Sequence, residues 1–176
     1  LNSGYEVVKA YRRIILNAKK TGRSGRPGNG KKDRTEGVII QPMEKGTEVI
    51  VGMKKDPQFG PVIMFGLGGV FVEVFRDTAL RITPVGRKEA SSMISELKSS
   101  PLLKGNRGRE PADIESIVDI ITGTSRLAEK ENVQELDFNP VMVSASGAVI
   151  VDARIIVKDD HENACKSKRT AQKNEG

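Results

Sequence analysis

The chain has no Trp, one Cys and one His in 176 residues. Each scarcity removes a class of function. Cys165 alone can neither close an internal disulfide nor build a Cys-rich zinc site, and its solitude suits a reducing cytoplasm. His161 alone rules out His-pair metal chemistry. Aromatics at 4% leave little to stack on unpaired bases. Long apolar runs are missing too: the stretches 62–65 and 148–151 are interrupted by Gly, Asp or Arg well before the roughly 18 residues that a membrane span requires. No bilayer crossing is expected. The opening LNSGYEVVKAYRR has neither the apolar core nor the cleavage site of a secretory signal, and it does not begin with Met. It reads as an internal start, in a fragment or a truncated homologue.

What is present is a net charge of +6, 37% hydrophobic and 30% charged residues, enough for one globular domain with a core. The positive charge is not where the fold is. Residues 1–35 hold ten Lys/Arg against two acids and residues 158–176 hold five against four, which leaves fourteen basic and seventeen acidic residues for 36–157. A nucleic-acid-binding domain would put its basic stripe on the folded surface, so nucleic acid is not the expected partner.

The spacing of Val7, Val8, Tyr11, Ile14 and Ile15 predicts an amphipathic helix over 5–20. TGRSGRPGNGKKDRT, 21–35, has nothing to bury and reads as a flexible basic loop. Short strands are then predicted at 37–43, 47–55, 61–66, 70–75 and 80–85, each rich in β-branched or aromatic residues and bounded by Gly, Pro or Asp. Helical spacing returns over 87–100 and 111–130, with Pro111, Asp113 and Glu115 suiting a helix start. Two strands, 133–143 and 148–157, joined by the turn SASG, complete the core region 36–157. The tail 158–176 lacks apolar periodicity and is expected to be disordered. This order predicts an α+β fold, with helices packed on one face of a largely antiparallel sheet.

Three constellations carry chemical content. In MFGLGGVFVEV, 64–74, the glycines do not make a dinucleotide fingerprint, because the third Gly position falls on Phe71 and the sequence that follows alternates like a strand. A tight strand-to-strand turn and a close approach of a ligand to bare backbone both remain open. Asn139 and Asp152 lie on the two final strands, where the short turn would set them side by side. Two oxygen ligands without His or Cys suit Mg²⁺, although two ordinary polar strand residues are the simpler reading of spacing alone. Asp152 also interrupts AVIV and II with a charge at a position where a core residue would sit. Finally, Gln41, Pro42 and Met43 form a bend whose freed backbone groups can read a purine edge, with Glu48 seven residues on from Gln41 able to accept from ribose hydroxyls; a plain hairpin is the simpler reading.

Together, EGVIIQPM, EVIVGMKKDPQFGPVIMFGLGGVFVEVFRD, LRITPV, PLLKGNRGREPADIESIVDII and ELDFNPVMV with VDARIIV resemble the beta subunit, or corresponding domain, of ADP-forming acyl-CoA synthetases such as acetate–CoA ligase. The resemblance covers 36–157 and implies the C-terminal subdomain of an ATP-grasp fold, to which the helix over 1–20 also belongs. It implies that Gln41, Pro42 and Met43 read adenine, that Glu48 holds ribose, and that Asn139 and Asp152 ligate Mg²⁺. Asp137 matches an acidic position that steadies a phosphohistidine visiting the nucleotide. Such enzymes convert acyl-CoA, ADP and phosphate to acid, CoA and ATP. The implied cofactors are ATP or ADP with Mg²⁺. The implied partner is a CoA-binding alpha subunit or domain carrying the phosphohistidine, hence a cytoplasmic hetero-oligomer. The N-terminal half of the ATP-grasp, with its phosphate-contacting loop, Lys and histidine, has no counterpart here, and His161 matches nothing in the family. The chain alone is therefore not expected to turn over. A succinyl-CoA synthetase type, the synthetase-like part of a protein acyltransferase, and a degenerate non-catalytic scaffold are the competing readings.

Overall fold

The computed structural model describes residues 3–21, 37–69, 72, 74–105, 110–130 and 132–158. The expected loop 21–35 lies almost wholly outside them, as do His161, Cys165 and all of the tail but Lys158. The chain forms two compact units, Leu1–Met43 and Glu44–Gly176.

In the first unit, helix α1 spans Gly4–Thr21, and the Ser3 hydroxyl accepts the Glu6 N–H at 3.3 Å, as an N-cap residue does. Val7, Ala10, Ile15 and Ala18 are half-buried, while Val8, Tyr11 and Ile14 are exposed. Residues 37–45 have no regular secondary structure, so the strand predicted at 37–43 is not there. Gln41 and Pro42 cannot sustain a paired strand: no ladder partner meets this stretch among the described residues, and Pro donates no N–H.

The second unit is a six-stranded antiparallel sheet in the order β3-β2-β1-β4-β5, with β6 also paired to β4. The strands are β1 Thr47–Asp56, β2 Gly60–Leu67, β3 Thr78–Ile82, β4 Val133–Ser144, β5 Gly147–Ile150 and β6 Ala153–Val157. The tight turn between β1 and β2 is set by Asp56, whose carboxylate accepts the N–H groups of Gln58 and Phe59 at 2.8 and 3.0 Å. Helix α2, Arg87–Glu96, and helix α3, Ile114–Ala128, follow the first three strands. Asp113 caps α3 by accepting from the Ser116 N–H at 3.2 Å and the Ser116 hydroxyl at 2.6 Å.

Both helices cover one face. Ala90, Met93 and Ile94 of α2 and Ile117, Val118 and Ile121 of α3 join a single apolar cluster with Val49, Val51, Met53, Ile63, Phe65, Leu67, Leu136, Phe138, Val141 and Val143. Alternation explains the choice, since these are every-second residues of β1 and β2, and of β4 on either side of an irregularity between Phe138 and Val141. Each large side chain so buried contributes about 1.5–3 kcal/mol. The Ser125 hydroxyl, buried in α3, accepts the Val85 N–H at 2.8 Å and ties the helix to the segment after β3. On the surface, Arg87 pairs with Glu115 and Asp119, joining the two helices.

The strand predicted at 70–75 is not found in its described part: Val72 is helical and Val74 and Phe75 form a turn, while 70, 71 and 73 lie outside the described residues. The strand predicted at 148–157 is split into β5 and β6 around Val151 and Asp152.

Candidate functional site

The split in the last strand and an irregularity in β4 are one feature. Val49 pairs with Val141 but Val51 pairs with Phe138, so Ile50 alone opposes Asn139 and Pro140. Two residues against one make a β-bulge. Pro140 cannot donate to a ladder and is tolerated where the ladder is already interrupted. On the other edge of β4, the Asn139 N–H donates to the Asp152 carbonyl at 3.2 Å and the Val151 N–H donates to the Pro140 carbonyl at 3.0 Å. The bulge thus brings Asn139 and Asp152 together as direct backbone partners.

Both are exposed, which corrects the expectation of a buried charge at Asp152: the residue sits at the sheet edge in the gap between β5 and β6. Its carboxylate accepts the Ala153 N–H at 2.9 Å. Asp137, half-buried, precedes the bulge by two residues and pairs with Gly52 on one side and Arg154 on the other. Because Leu136 and Phe138 point into the core, Asp137 lies on the face that α2 and α3 leave open. Glu48 is exposed and pairs with Met142 on that same face, since its neighbour Val49 is in the core. Gln41, Pro42 and Met43 are exposed and belong to the other unit.

The glycine stretch resolves into packing. A Cβ on Gly68 would stand 2.9 Å from the Glu48 Cβ, and the Gly68 N–H donates to the Glu48 carbonyl at 2.8 Å. A Cβ on Gly66 would meet Val72 Cγ2 at 2.9 Å, and Gly69 takes the left-handed backbone, φ 63°. The glycines are therefore required by the chain's own atoms, and their turn fixes the backbone of Glu48.

An Asn amide oxygen and an Asp carboxylate on two exposed residues paired through their backbones fit a hard divalent cation that retains several of its waters. Among the described residues no group of three or more His, Cys, Asp or Glu could hold a metal alone, so further ligands would have to come from water or a bound molecule. Two clefts of about 440 and 490 Å³ are lined by Lys45, Thr47, Glu110 and Ser144, and by Phe75, Asp77, Glu96 and Ser99. Neither of these two includes Asn139 or Asp152, which are both exposed on the sheet. The bulge was signalled in sequence by Pro140 inside a strand pattern. Gly52 and Arg154, which flank Asp137, carried no motif.

The chain matches the ATP-grasp domain family over residues 1–157. It is 54% identical over 127 residues to the beta subunit of acetate–CoA ligase [ADP-forming] II of Pyrococcus furiosus, covering 69% of this chain and 54% of that protein. Among solved structures it resembles dinucleotide forming acetyl-coenzyme A synthetase 1 of Ca. Korarchaeum cryptofilum in complex with coenzyme A, Ca-AMPCP and HgCl+, with a TM-score of 0.73 and 45% identity over 89% of this chain and 66% of that one. A second structure of that enzyme holds coenzyme A and Mg-AMPPCP, with a phosphohistidine segment pointing towards the nucleotide binding site; its TM-score is 0.69, at 43% identity over 90% of this chain and 66% of that one. The chain spans about half the length of the Pyrococcus subunit.

Proposed function

Since the chain belongs to the ATP-grasp domain family, with that family's α+β fold, we propose that it is the nucleotide- and Mg²⁺-binding part of an ADP-forming acyl-CoA ligase. The reaction is acyl-CoA, ADP and phosphate to acid, CoA and ATP, with the phosphoryl group carried by a histidine on a CoA-binding partner chain or domain. The observation that carries this reading is the bulge, where Asn139 and Asp152 become backbone partners two residues beyond Asp137 on the open face. Relatives that are beta subunits of such ligases, and a neighbour with Mg-AMPPCP and a phosphohistidine segment, support it.

Asn139 and Asp152 would hold Mg²⁺, which when bound neutralises charge on the nucleotide phosphates. Glu48, its backbone held by Gly68, would accept hydrogen bonds from the ribose hydroxyls. Gln41, Pro42 and Met43, in a segment without ladder partners among the described residues, would offer backbone groups to adenine. Asp137 would accept a hydrogen bond from the imidazole N–H of the visiting phosphohistidine and so orient its ring. In phosphoryl transfer the protein acts chiefly by positioning and electrostatics, which residues in these roles would supply.

Calorimetric titration with Mg·ADP tests the assignment. Asn139→Ala and Asp152→Ala are expected to weaken Mg·ADP binding by roughly tenfold or more, with a smaller effect on ADP in the absence of Mg²⁺. Unchanged Mg·ADP affinity in both variants would remove the metal assignment. Absence of acyl-CoA-dependent ATP formation by the complete nucleotide-binding subunit with its partner would favour a non-catalytic scaffold.

A further inference from the structure

A row of residues crosses the open face of the sheet from edge to edge. The register pairs Leu80 with Met64, Met64 with Gly52, Gly52 with Asp137, and Asp137 with Arg154. Strand alternation puts them on one face, opposite the core residues Ala79, Ile63, Val51 and Leu136. The row changes character along its length: apolar at Leu80 and Met64, without a side chain at the buried Gly52, anionic at Asp137 and cationic at Arg154.

Gly52 is the anomaly. In the middle of a central strand, Gly weakens pairing and offers no side chain to pack. Neither structural demand for Gly applies. Its φ lies outside the left-handed range, and a Cβ would find nothing nearer than Met64 Cε at 3.5 Å and the Leu136 carbonyl at 3.6 Å, which are ordinary contacts. Gly66 and Gly68, by contrast, have atoms at 2.9 Å. Gly52 is buried, with Met64 over it, yet the fold accepts Ala there, so the missing side chain beside Asp137 points to the other reason strands keep Gly, the close approach of another group. The Met64 methyl that lies over it belongs to a flexible side chain able to swing aside.

Arg154 faces Asp137 from the other side. Its side chain is 62% exposed, and its ion pair with Glu135 is long, Nη1 to Oε1 at 3.6 Å. A pair of that length and exposure contributes little to stability, and it engages one nitrogen of a five-donor fork. A guanidinium so placed matches the oxygens of a phosphoryl group.

From this row we propose that Gly52 and Arg154 receive the phosphorylated segment of the partner: with Met64 swung aside, the missing side chain at Gly52 clears the approach to Asp137, and Arg154 pairs with the phosphoryl oxygens as they arrive. The proposal rests on the ligase reading and adds two residues to its recognition of a phosphorylated polypeptide.

The test uses the complete nucleotide-binding subunit assembled with its CoA-binding partner, comparing acyl-CoA-dependent ATP formation with Mg·ADP titration. Gly52→Ala and Arg154→Gln are each expected to lower kcat by about tenfold or more while Mg·ADP affinity stays within about twofold. The unfolding midpoint of Gly52→Ala should equal or exceed that of the parent, because Ala removes backbone freedom from the unfolded chain. Arg154→Lys should restore part of the rate, keeping the charge without the fork. Parental kcat in both variants, or loss of rate only in step with loss of Mg·ADP affinity, overturns the proposal. Failure of the ligase reading is separate: Mg·ADP affinity would then be insensitive to Asn139→Ala and Asp152→Ala. An unsubstituted assembly that forms no ATP overturns both.

Discussion

Four glycines on β1, β2 and the turn after β2 show how one residue type serves different ends. At Gly68 the constraint is contact with Glu48, and at Gly66 contact with Val72. At Gly69 it is a left-handed backbone, where a Cβ costs roughly 1–2 kcal/mol. Gly52 has neither constraint. Gly68→Ala should therefore destabilise the fold by about 1–3 kcal/mol, as overpacking does, and should displace Glu48. Urea unfolding checks the first effect. Nucleotide titration checks the second: if Glu48 holds ribose, ADP binding weakens, and Glu48→Gln weakens it in the same direction.

Among the elements, α3 depends most visibly on a single cap. The Ser116 hydroxyl, and then its N–H, hold the Asp113 carboxyl below its usual value of 3.8. At Asp77 burial raises the pKa, but hydrogen bonds from the Ser99 hydroxyl and the N–H groups of Ser99 and Lys98 outweigh it and the net shift is downward. A group whose folded pKa is depressed contributes stability above its unfolded pKa and loses it as pH falls through the folded value. Thermal midpoints should accordingly fall with pH below about 4. Asp113→Asn should flatten that acid limb while keeping a side-chain acceptor for the Ser116 N–H. An acid limb identical to the parent's would show that Asp113 does not contribute to it. The β5–β6 break is a second element-scale feature: at this exposed sheet edge it leaves Asp152 outside both strands while its carbonyl stays bonded to Asn139.

For the whole molecule, the division of the sheet into a helix-covered face and an open one governs both stability and chemistry. Phe65 is fully buried and lies in register between Val51 and Ala79 on the covered face. Phe65→Ala should cost about 3–5 kcal/mol and unfold strands and helices of the Glu44–Gly176 unit in one transition, since they share one core cluster. Far- and near-ultraviolet circular dichroism should lose signal together; separate transitions would mean that the cluster is not one cooperative unit. The open face carries Glu48, Asp137 and Arg154 and is where polar chemistry does not compete with the core.

Local pattern by itself determined the helices and the central strands. Apolar spacing at 87–100 and 111–130 became α2 and α3, and the β-branched runs at 47–55 and 61–66 became β1 and β2, because helical and strand periods are carried by neighbouring side chains. The ATP-grasp resemblance was likewise legible in the DPQFGPVIMFGLGG stretch and its neighbours. Alternation at 37–43, and at Val72, Val74 and Phe75 among the described residues of 70–75, misled, because a strand needs a partner for its backbone and no local pattern supplies one. The site shows the same boundary. Asn139 and Asp152 could be named from sequence, but that they are direct partners at a bulge, exposed rather than buried, was decided by the register of β4 against β1, β5 and β6. So was the row through Gly52, Asp137 and Arg154, whose members are distant along the chain and meet only because antiparallel pairing aligns three strands.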